Sequence, residues 1–380
     1  MSFASLGLSP FLQKELLRQN YTKPYPIQEA AIPAILRGKD VLGIAQTGSG
    51  KTASYALPIL MNLDGKTGSK NRHIDALILV PTRELAVQVG DVFKQFGSVL
   101  PNRIKSMSVF GGVSINPQMI AMQNVNILVA TPGRLLDLVN AKAVHLSAVK
   151  MLVLDEADKM LNLGFKKEID QIFDKLPAKR QNLLFSATLS KDISTINQVL
   201  LKDPEVIKIE PETENLDLIK QSAYAVSEER KGPLLRYIIK QNDLQQVLIF
   251  TSSVYKADNV ADKLRKNGIQ AKAIHRRKSQ LARTEALQNF KEGRLRVLVA
   301  TDLLARGIDI EFLPCVINYE LPRSPKDYIH RIGRTGRAEN PGDAIALISP
   351  EEEHHFNVIQ KKMKRKVEMI ETEQIDLFKK

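Results

Sequence analysis

Three short strings in this chain carry side chains suited to phosphate chemistry. The first is Gly48-Ser49-Gly50-Lys51-Thr52. Its glycines let backbone N–H groups crowd a phosphate with no Cβ in the way. Lys51 offers a point charge to terminal phosphates, Thr52 offers a hydroxyl to Mg2+, and a helix start adds its dipole. Ala45 stands where the general pattern of such loops has its first glycine, a departure that touches none of these roles. The second string is Asp155-Glu156, directly after the apolar run "MLVL". One carboxylate there can hold Mg2+ through water while the other orients or deprotonates an attacking water. Adjacent carboxylates also occur simply as a helix amino terminus. The third is "YIHRIGRTGRAE", with Arg331, Arg334 and Arg337 at a spacing of three, which predicts one side of a helix. An arginine that reaches a γ-phosphate from another domain is worth roughly 10³ to 10⁵ in rate. Binding RNA phosphates would explain the same arginines.

The elements that must position these residues are legible in the pattern of apolar runs. "VLGIA", "ALILV", "NILVA", "MLVL" and "NLLFSA" recur in the first half, separated by helical periodicity such as "RELAVQVGDVFKQF". The second half repeats the plan with "QVLIF", "RVLVAT", "CVINY" and "AIALIS". Runs apolar at every position suit strands covered on both faces, so the expectation is an α/β chain of two parallel-sheet domains in tandem. Acidic, polar "PETENLDLIK" at 211–220 reads as the linker, which gives domains at 1–210 and 221–380. "NLDGKTGSKNRH" at 62–73 reads as a loop inside the first domain. Each motif of the first half follows directly on an apolar run, and ligands of open α/β sheets bind beyond the carboxyl ends of the strands. The motifs therefore converge on one edge. From about residue 351 the chain is helix-prone and carries Lys361, Lys362, Lys364, Arg365 and Lys366, either a solvated helix face or a nucleic-acid contact.

Composition narrows the partners. The 380 residues are 43% hydrophobic and 26% charged, as in globular chains, and the formal charge of +13 favours polyanions, nucleic acid first and an acidic membrane face second. Cys315 is the only cysteine, so an internal disulfide or a thiolate cluster is excluded and a reducing, cytoplasmic setting is expected, with the thiol as inert core packing. No secretion signal opens the chain and no apolar stretch approaches a membrane span.

Taken together, "AQTGSGKT", "PTRELA" (81–86), "GG" (111–112), "TPGR" (131–134), "DEAD" (155–158), "SAT" (186–188), "TDLLARGIDI" (301–310) and "HRIGRTGR" (330–337) resemble the DEAD-box family of ATP-dependent RNA helicases, in its minimal two-domain bacterial form. That resemblance implies two RecA-like domains and a loop that begins with alanine, as Ala45 does. It implies ATP and Mg2+ as ligands, with Lys51, Asp155 and Glu156 catalytic, Gly48, Ser49, Gly50 and Thr52 on the phosphates, and Thr52 and Asp155 on the metal. Arg334 and Arg337 are expected on the γ-phosphate, His330 linking their motif to the first domain, and Ser186 and Thr188 in coupling the domains. Gln28 has the donor and acceptor needed for the N6 and N7 edge of adenine. The resemblance gives it that role, stacks Tyr21 on the adenine with Phe3 as support, and sets Asp309 on the ribose. The family more often has Gly-Phe where Asn20 and Tyr21 stand; tyrosine keeps the π-face, so a preference for ATP is expected to survive. Arg83, Gly112, Thr131, Arg134 and Thr301 are carried over as RNA contacts, to sugar and phosphate rather than base edges.

The implied mechanism is a two-domain clamp of a monomer, in which ATP and RNA favour the same closed form and so bind cooperatively, with local, non-processive unwinding. Two rivals stand beside it. A small-molecule kinase would share Gly-Ser-Gly-Lys-Thr but lack the second-half arginines. An ATP-gated RNA clamp serving as an assembly platform would use the same motifs without productive unwinding. One departure is plain: Arg276 and Arg277 stand where the family usually has Gly-Asp, either as added phosphate contacts or as a tolerated surface change.

Overall fold

A computed structural model describes residues 2–46, 48–65, 71–189, 196, 200–210, 218–302, 313–336, 341–375 and 377. The chain divides into two units, Met1–Pro211 and Glu212–Lys380. In the first, β1 (Val41–Ile44), β2 (Ala76–Leu79), β3 (Ser106–Val109), β4 (Ile127–Ala130), β5 (Met151–Leu154), β6 (Gln181–Ser186) and β7 (Glu205–Lys208) form a parallel sheet in the order β3-β4-β2-β5-β6-β1-β7. In the second, β8 (Ile219–Ala225), β9 (Val247–Thr251), β10 (Ala271–Ile274), β11 (Val297–Thr301), β12 (Cys315–Asn318), β13 (Gly342–Ile348) and β14 (Glu368–Glu371) take the order β10-β11-β9-β12-β13-β8-β14. Raising each label of the first sheet by seven gives the second. The two units are the same winding built twice.

The strands form where the apolar runs lie, and the period of two divides their side chains between faces. Ile78, Val129, Val153 and Leu183 pack on one side of the first sheet, and Leu77, Leu128, Leu152 and Leu184 on the other. Central β2, β4 and β5 are buried at every position, whereas edge strand β7 alternates Glu205, Val206, Ile207, Lys208 with only Ile207 buried. From β1 to β6, from β8 to β11 and from β12 to β14, helices return the chain from the carboxyl end of one strand to the start of the next. In the first unit α1 (Pro10–Arg18) and α2 (Pro26–Leu36) precede the sheet, and α3 (Lys51–Leu63), α4 (Arg83–Gly97), α5 (Asn116–Ala121), α6 (Pro132–Asn140), α7 (Ala157–Asn162) and α8 (Lys166–Phe173) follow their strands. The second has α9 (Lys231–Gln241), α10 (Val254–Lys266), α11 (Gln280–Lys291), α12 (Pro325–Ile332) and α13 (Glu353–Met363). Side-chain caps start several of them: Thr82 accepts from Leu85 N–H, Ser253 from Lys256 N–H and Ser279 from Ala282 N–H.

Three boundaries differ from the sequence reading: α3 runs to Leu63, two residues into the stretch read as a loop at 62–73, of which 66–70 lie outside the described residues, and two more lie further along. Helix α13 stops at Met363, Lys364 turns left-handed at φ 54°, and "EMIE" adds to the sheet as β14 beside β8. The helix-prone tail is thus helix, turn and strand, because Val367 is buried in the core and the edge of β8 takes a partner. The expected linker loses its last two residues to β8, and 211–217 lie outside the described residues. Cys315 sits fully buried on β12, and burial pushes its thiol pKa up. No helix among the described residues is long and apolar enough to cross a membrane.

Candidate active site

Strand β1 delivers the chain into the phosphate loop and α3 leaves it. The left-handed turns fall on Gly48 (φ 87°) and Gly50 (φ 86°), not on Ala45, so alanine fits at 45 without strain. Ala45 is buried and its N–H donates to Ser186 O at 3.0 Å. Gly50 caps α3, Ser49 Oγ donates to Gln46 O at 2.7 Å, and Lys51 and Thr52 open the helix. Lys51 is only 6% exposed, and its Nζ donates to Ala45 O at 2.8 Å. Burial pushes the Lys51 pKa down, and the charges of Asp155 and Glu156 oppose it.

Gln28 on α2 is fully buried against this loop. Its Oε1 accepts Tyr25 N–H at 3.0 Å and its Nε2 donates to Gly50 O at 3.1 Å. One lone pair and one hydrogen of the amide are therefore committed to backbone, and one of each remains. A Cβ at Gly50 would lie 2.5 Å from Gln28 Nε2, so glycine is required by contact as well as by φ. Tyr21 stands edge-on to Phe3 and Phe96, with ring centroids 6.4 and 6.0 Å away. Phe3 thus packs against the ring of Tyr21.

The carboxylates follow β5. Asp155 is 2% exposed, its Oδ2 accepting Tyr55 O–H at 2.8 Å and its Oδ1 accepting Glu156 N–H at 2.8 Å. Tyr55, one turn along α3 from Lys51, is fully buried; burial and then the Asp155 charge push its pKa up, which keeps it a donor. Glu156 takes φ 51°, ψ 45°, a left-handed conformation that strains a non-glycine residue and is often met at working sites. Its Oε1 accepts Lys159 Nζ at 2.6 Å, while Oε2 is buried with no hydrogen-bond partner among the described residues. Burial raises the Glu156 pKa, against the pull of Lys159. Asp158 Oδ2 accepts Thr188 Oγ1–H at 3.0 Å, and Ser186 Oγ donates to Thr188 O at 2.8 Å. These contacts of Ser186 and Thr188 lie within the first unit.

The oxygen donors fit Mg2+, which takes one or two carboxylates plus phosphate and water. Asp155 is oriented by two donors at the carboxyl end of β5, which only β6 separates from β1, and the Thr52 hydroxyl sits on the first turn of α3.

Four of the candidate RNA contacts, Arg83, Gly112, Thr131 and Arg134, follow strand ends on that edge of the first unit. Arg83 opens α4, and its guanidinium lies against Gly112 so closely that a Cβ there would collide with it. Thr131 caps α6, its N–H donating to Val109 O at 3.1 Å. Arg134 is turned inward: Nη2 donates to Val113 O at 2.9 Å, Nε reaches Asp137 at 3.4 Å, and Nη1 is buried with no partner among the described residues. In the second unit Thr301 ends β11 beside Thr251 of β9. Arg276 and Arg277 are exposed on the turn after β10, while their neighbours His275 and Lys278 both engage Asp258, at 2.9 and 2.8 Å.

The arginine string needs a correction. Helix α12 ends at Ile332 with Gly333 as its cap, so Arg334 lies in the following turn and does not share a helix face with Arg331. Arg331 is used up internally, with Nε and Nη2 on Asp302 at 2.6 and 2.8 Å, Nη1 on Asn318 at 2.8 Å, and Phe250 beneath it. The glycine two residues on from Arg331 ends the helix before the period of three can act. Arg334 is 7% exposed and its N–H donates to Arg331 O at 3.2 Å; His330 is in the last turn of α12. Arg337 and Asp309 lie outside the described residues.

Three residues escaped the sequence reading: Tyr55, Lys159 and Lys231. Lys231 opens α9 after β8, as Lys51 opens α3 after β1, and β8 holds in its sheet the place of β1. Its side chain is fully buried on Glu352 Oε2 at 2.6 Å and Glu228 Oε2 at 3.1 Å. The second unit keeps the lysine and fills its surroundings with its own carboxylates. Only the repeated strand order exposes the equivalence; "ERKG" alone gives no signal.

A parallel sheet with a Gly-Lys-Thr loop beyond β1 and paired carboxylates beyond β5, followed by a second copy of the winding, defines a tandem RecA-like nucleoside triphosphatase. Models of the DEAD/DEAH box helicase and of the helicase conserved C-terminal domain match residues 25–196 and 230–339. The DEAD-box ATP-dependent RNA helicase CshA of Geobacillus kaustophilus is 38% identical over 99% of this chain and 79% of its own length. RhpA of Helicobacter pylori, a DEAD-box ATP-dependent RNA helicase, is 39% identical over 97% of this chain and 74% of its own. Among solved structures, S. cerevisiae Dbp5 bound to RNA and ADP BeF3 superposes with a TM-score of 0.83 at 31% identity, covering 98% of this chain and 96% of that one. The chain belongs to the DEAD-box family and is an ATP-dependent RNA helicase, an ATPase that acts on RNA.

Proposed function

We propose that the first unit binds ATP through the loop at Gly48–Thr52 and hydrolyses it with Glu156 as the base, in response to RNA. The supporting observation is the Glu156 carboxylate, which has one oxygen held by Lys159 and the other buried and open to accept a proton. In this reading Lys51 exchanges Ala45 O for the terminal phosphates, and Gln28, Tyr21 and Phe3 hold the adenine, with Asp309 on the ribose. Thr52 and Asp155 would hold Mg2+, which supplies charge neutralisation on the phosphates. Water oriented by Glu156 Oε2 loses its proton to that carboxylate as it attacks the γ-phosphorus and ADP leaves. Arg334 and Arg337 of the second unit supply guanidinium charge to the transferring group, His330 links their motif to the first unit, and Ser186 and Thr188 transmit the change.

RNA is held by backbone contacts of Arg83, Gly112, Thr131, Arg134 and Thr301, for which Arg134 would leave Val113 O. ATP and RNA then favour one form of the protein, and phosphate loss releases it after local strand separation. The enzyme works as a monomer in the cytoplasm. The test is ATP turnover with and without RNA, wild type against Glu156→Gln. Strong RNA stimulation is expected, and the substitution should lower turnover by about 10² to 10⁴ while ATP still binds. Turnover indifferent to RNA would favour a small-molecule kinase instead.

A further inference from the structure

All strands of the second sheet run the same way, so its helices end together at the edge where the strands begin, opposite the edge that carries Thr251, Thr301 and Arg331. Cations collect there. The last turn of α13 and the segment that joins it to β14 carry Lys361, Lys362, Lys364, Arg365 and Lys366, interrupted only by Met363. On the far side of the same edge Lys240 lies in the last turn of α9, and Lys263 and Lys266 in that of α10. Some neighbours are neutralised locally, Arg265 by Asp262, Arg294 by Glu292 and Arg296 by Asp243. Lys240, Lys263 and Lys266, with Lys361, Lys362 and Lys364, are exposed and have no ion pair among the described residues. So is Lys366. Glu368 and Glu371 on β14 are the nearest acids in sequence to the α13 cluster, and both are solvent-exposed.

Helix dipoles explain part of this, since a cation in the last turn is favourable. They do not explain Lys364 and Lys366, which lie beyond the last turn of α13, nor adjacent like charges that repel one another. A second feature shares the edge. Gln245, Gln246, Gln270, Gly268, Gly293 and Arg296 line a cleft of about 460 Å3. Arg296 is anchored on Leu244 O at 2.6 Å and Gln246 on Phe290 O at 2.6 Å, so the floor is fixed, while Gln270 is exposed. Amides with both donor and acceptor suit a base edge or a ribose hydroxyl.

We infer that this strand-start edge of the second unit is an accessory RNA-binding surface, with phosphates on the exposed lysines and the glutamine cleft receiving an unstacked base or a ribose. The inference rests on the RNA helicase reading and deepens it. The surface holds flanking RNA on the side of the sheet away from the ATP and RNA motifs, which raises the effective concentration of the strand at the working edge.

The test uses the full chain and fluorescent RNAs of about 10 and about 50 nucleotides, lengths chosen because sequence-independent single-strand sites occupy only several nucleotides. Two variants remove charge: Lys361→Gln with Lys362→Gln, Lys364→Gln and Lys366→Gln, and separately Lys240→Gln with Lys263→Gln and Lys266→Gln. On the long RNA each should weaken binding about tenfold, and the slope of log K against log salt should fall by about 0.7 per engaged lysine. On the short RNA, affinity and ATPase stimulation should match wild type. Unchanged affinity and slope on the long RNA, or equal losses on both lengths, overturns the proposal. Crosslinking of long 4-thiouridine RNA to the wild type gives an answer independent of the variants. Crosslinks at 240–270 or 361–366 are expected, and crosslinks confined to the opposite edge overturn it. Failure of the helicase reading itself would look different, as a wild type whose ATPase ignores even the short RNA.

Discussion

Gly50 joins three requirements in one residue. It caps α3, it takes φ 86°, and its missing Cβ leaves room for Gln28 Nε2 to reach its carbonyl. An alanine there must hold a left-handed conformation, at a cost of about 1–2 kcal/mol, and must push away the amide that ties α2 to the phosphate loop. Gly50→Ala should therefore raise the Kd for ATP at least about tenfold through the loop rather than through lost charge. Gln28→Ala added to Gly50→Ala should then cost less than it does alone, because both act on one contact. Nucleotide titrations of the two single variants and the double variant measure this, and simple additivity would sink it. Ala45 shows the converse: where the loop needs no positive φ, the missing glycine has no consequence.

At the level of elements, Lys231 decides how the second unit is held together. Its ammonium is fully buried, and Glu352, which takes it at 2.6 Å, also accepts Ser349 N–H at 3.1 Å and Leu321 N–H at 3.2 Å, joining the start of α9 to the segments that follow β12 and precede α13. Glu352→Gln should destabilise the unit by about 2 kcal/mol, the scale of a charged hydrogen bond. Burial alone would raise the Glu352 pKa; the Lys231 hydrogen bond and charge outweigh it and hold the carboxyl below its ordinary 4.5. The contribution is thus complete above that value and lost as pH falls through the lower folded one. Urea unfolding of wild type and variant should differ at about pH 7 and converge as the pH is taken below the depressed folded value of Glu352. A constant difference would contradict it. The strands were legible in sequence because burial on both faces demands unbroken apolar runs, and the phosphate loop and "DEAD" because their residue types are dictated by the chemistry. Tyr55 and Lys231 were not, since a buried tyrosine or lysine announces nothing until its partner is known. The Arg331 to Arg334 spacing misled because one capping glycine, Gly333, ends the helix between them.

Over the whole molecule, one winding is used twice to opposite ends. The first copy has Lys51 near Asp155 and Glu156, the latter with Oε2 unpartnered among the described residues, and a loop with two left-handed glycines; the second has Lys231 closed by Glu228 and Glu352. On the function proposed above, one nucleotide per chain is expected, with the second copy contributing guanidinium groups rather than a binding loop. Arg334 is suited to that part because its backbone is fixed on both sides, its N–H on Arg331 O at 3.2 Å and its carbonyl accepting Leu313 N–H at 3.1 Å. Both contacts are made by the backbone and survive truncation of the side chain, so Arg334→Ala should keep the turn. Its RNA-stimulated kcat should nevertheless fall by about 10³ or more, with ATP affinity changed little, because the charge is needed only as the phosphoryl group transfers. Arg334→Lys should fail to restore the rate, since an ammonium lacks the planar fork. Steady-state ATPase with saturating RNA, beside nucleotide titration and thermal unfolding, separates these effects. A kcat within about threefold of wild type in Arg334→Ala would mean that the first unit completes the reaction by itself, contrary to the roughly 10³ expected of such an arginine.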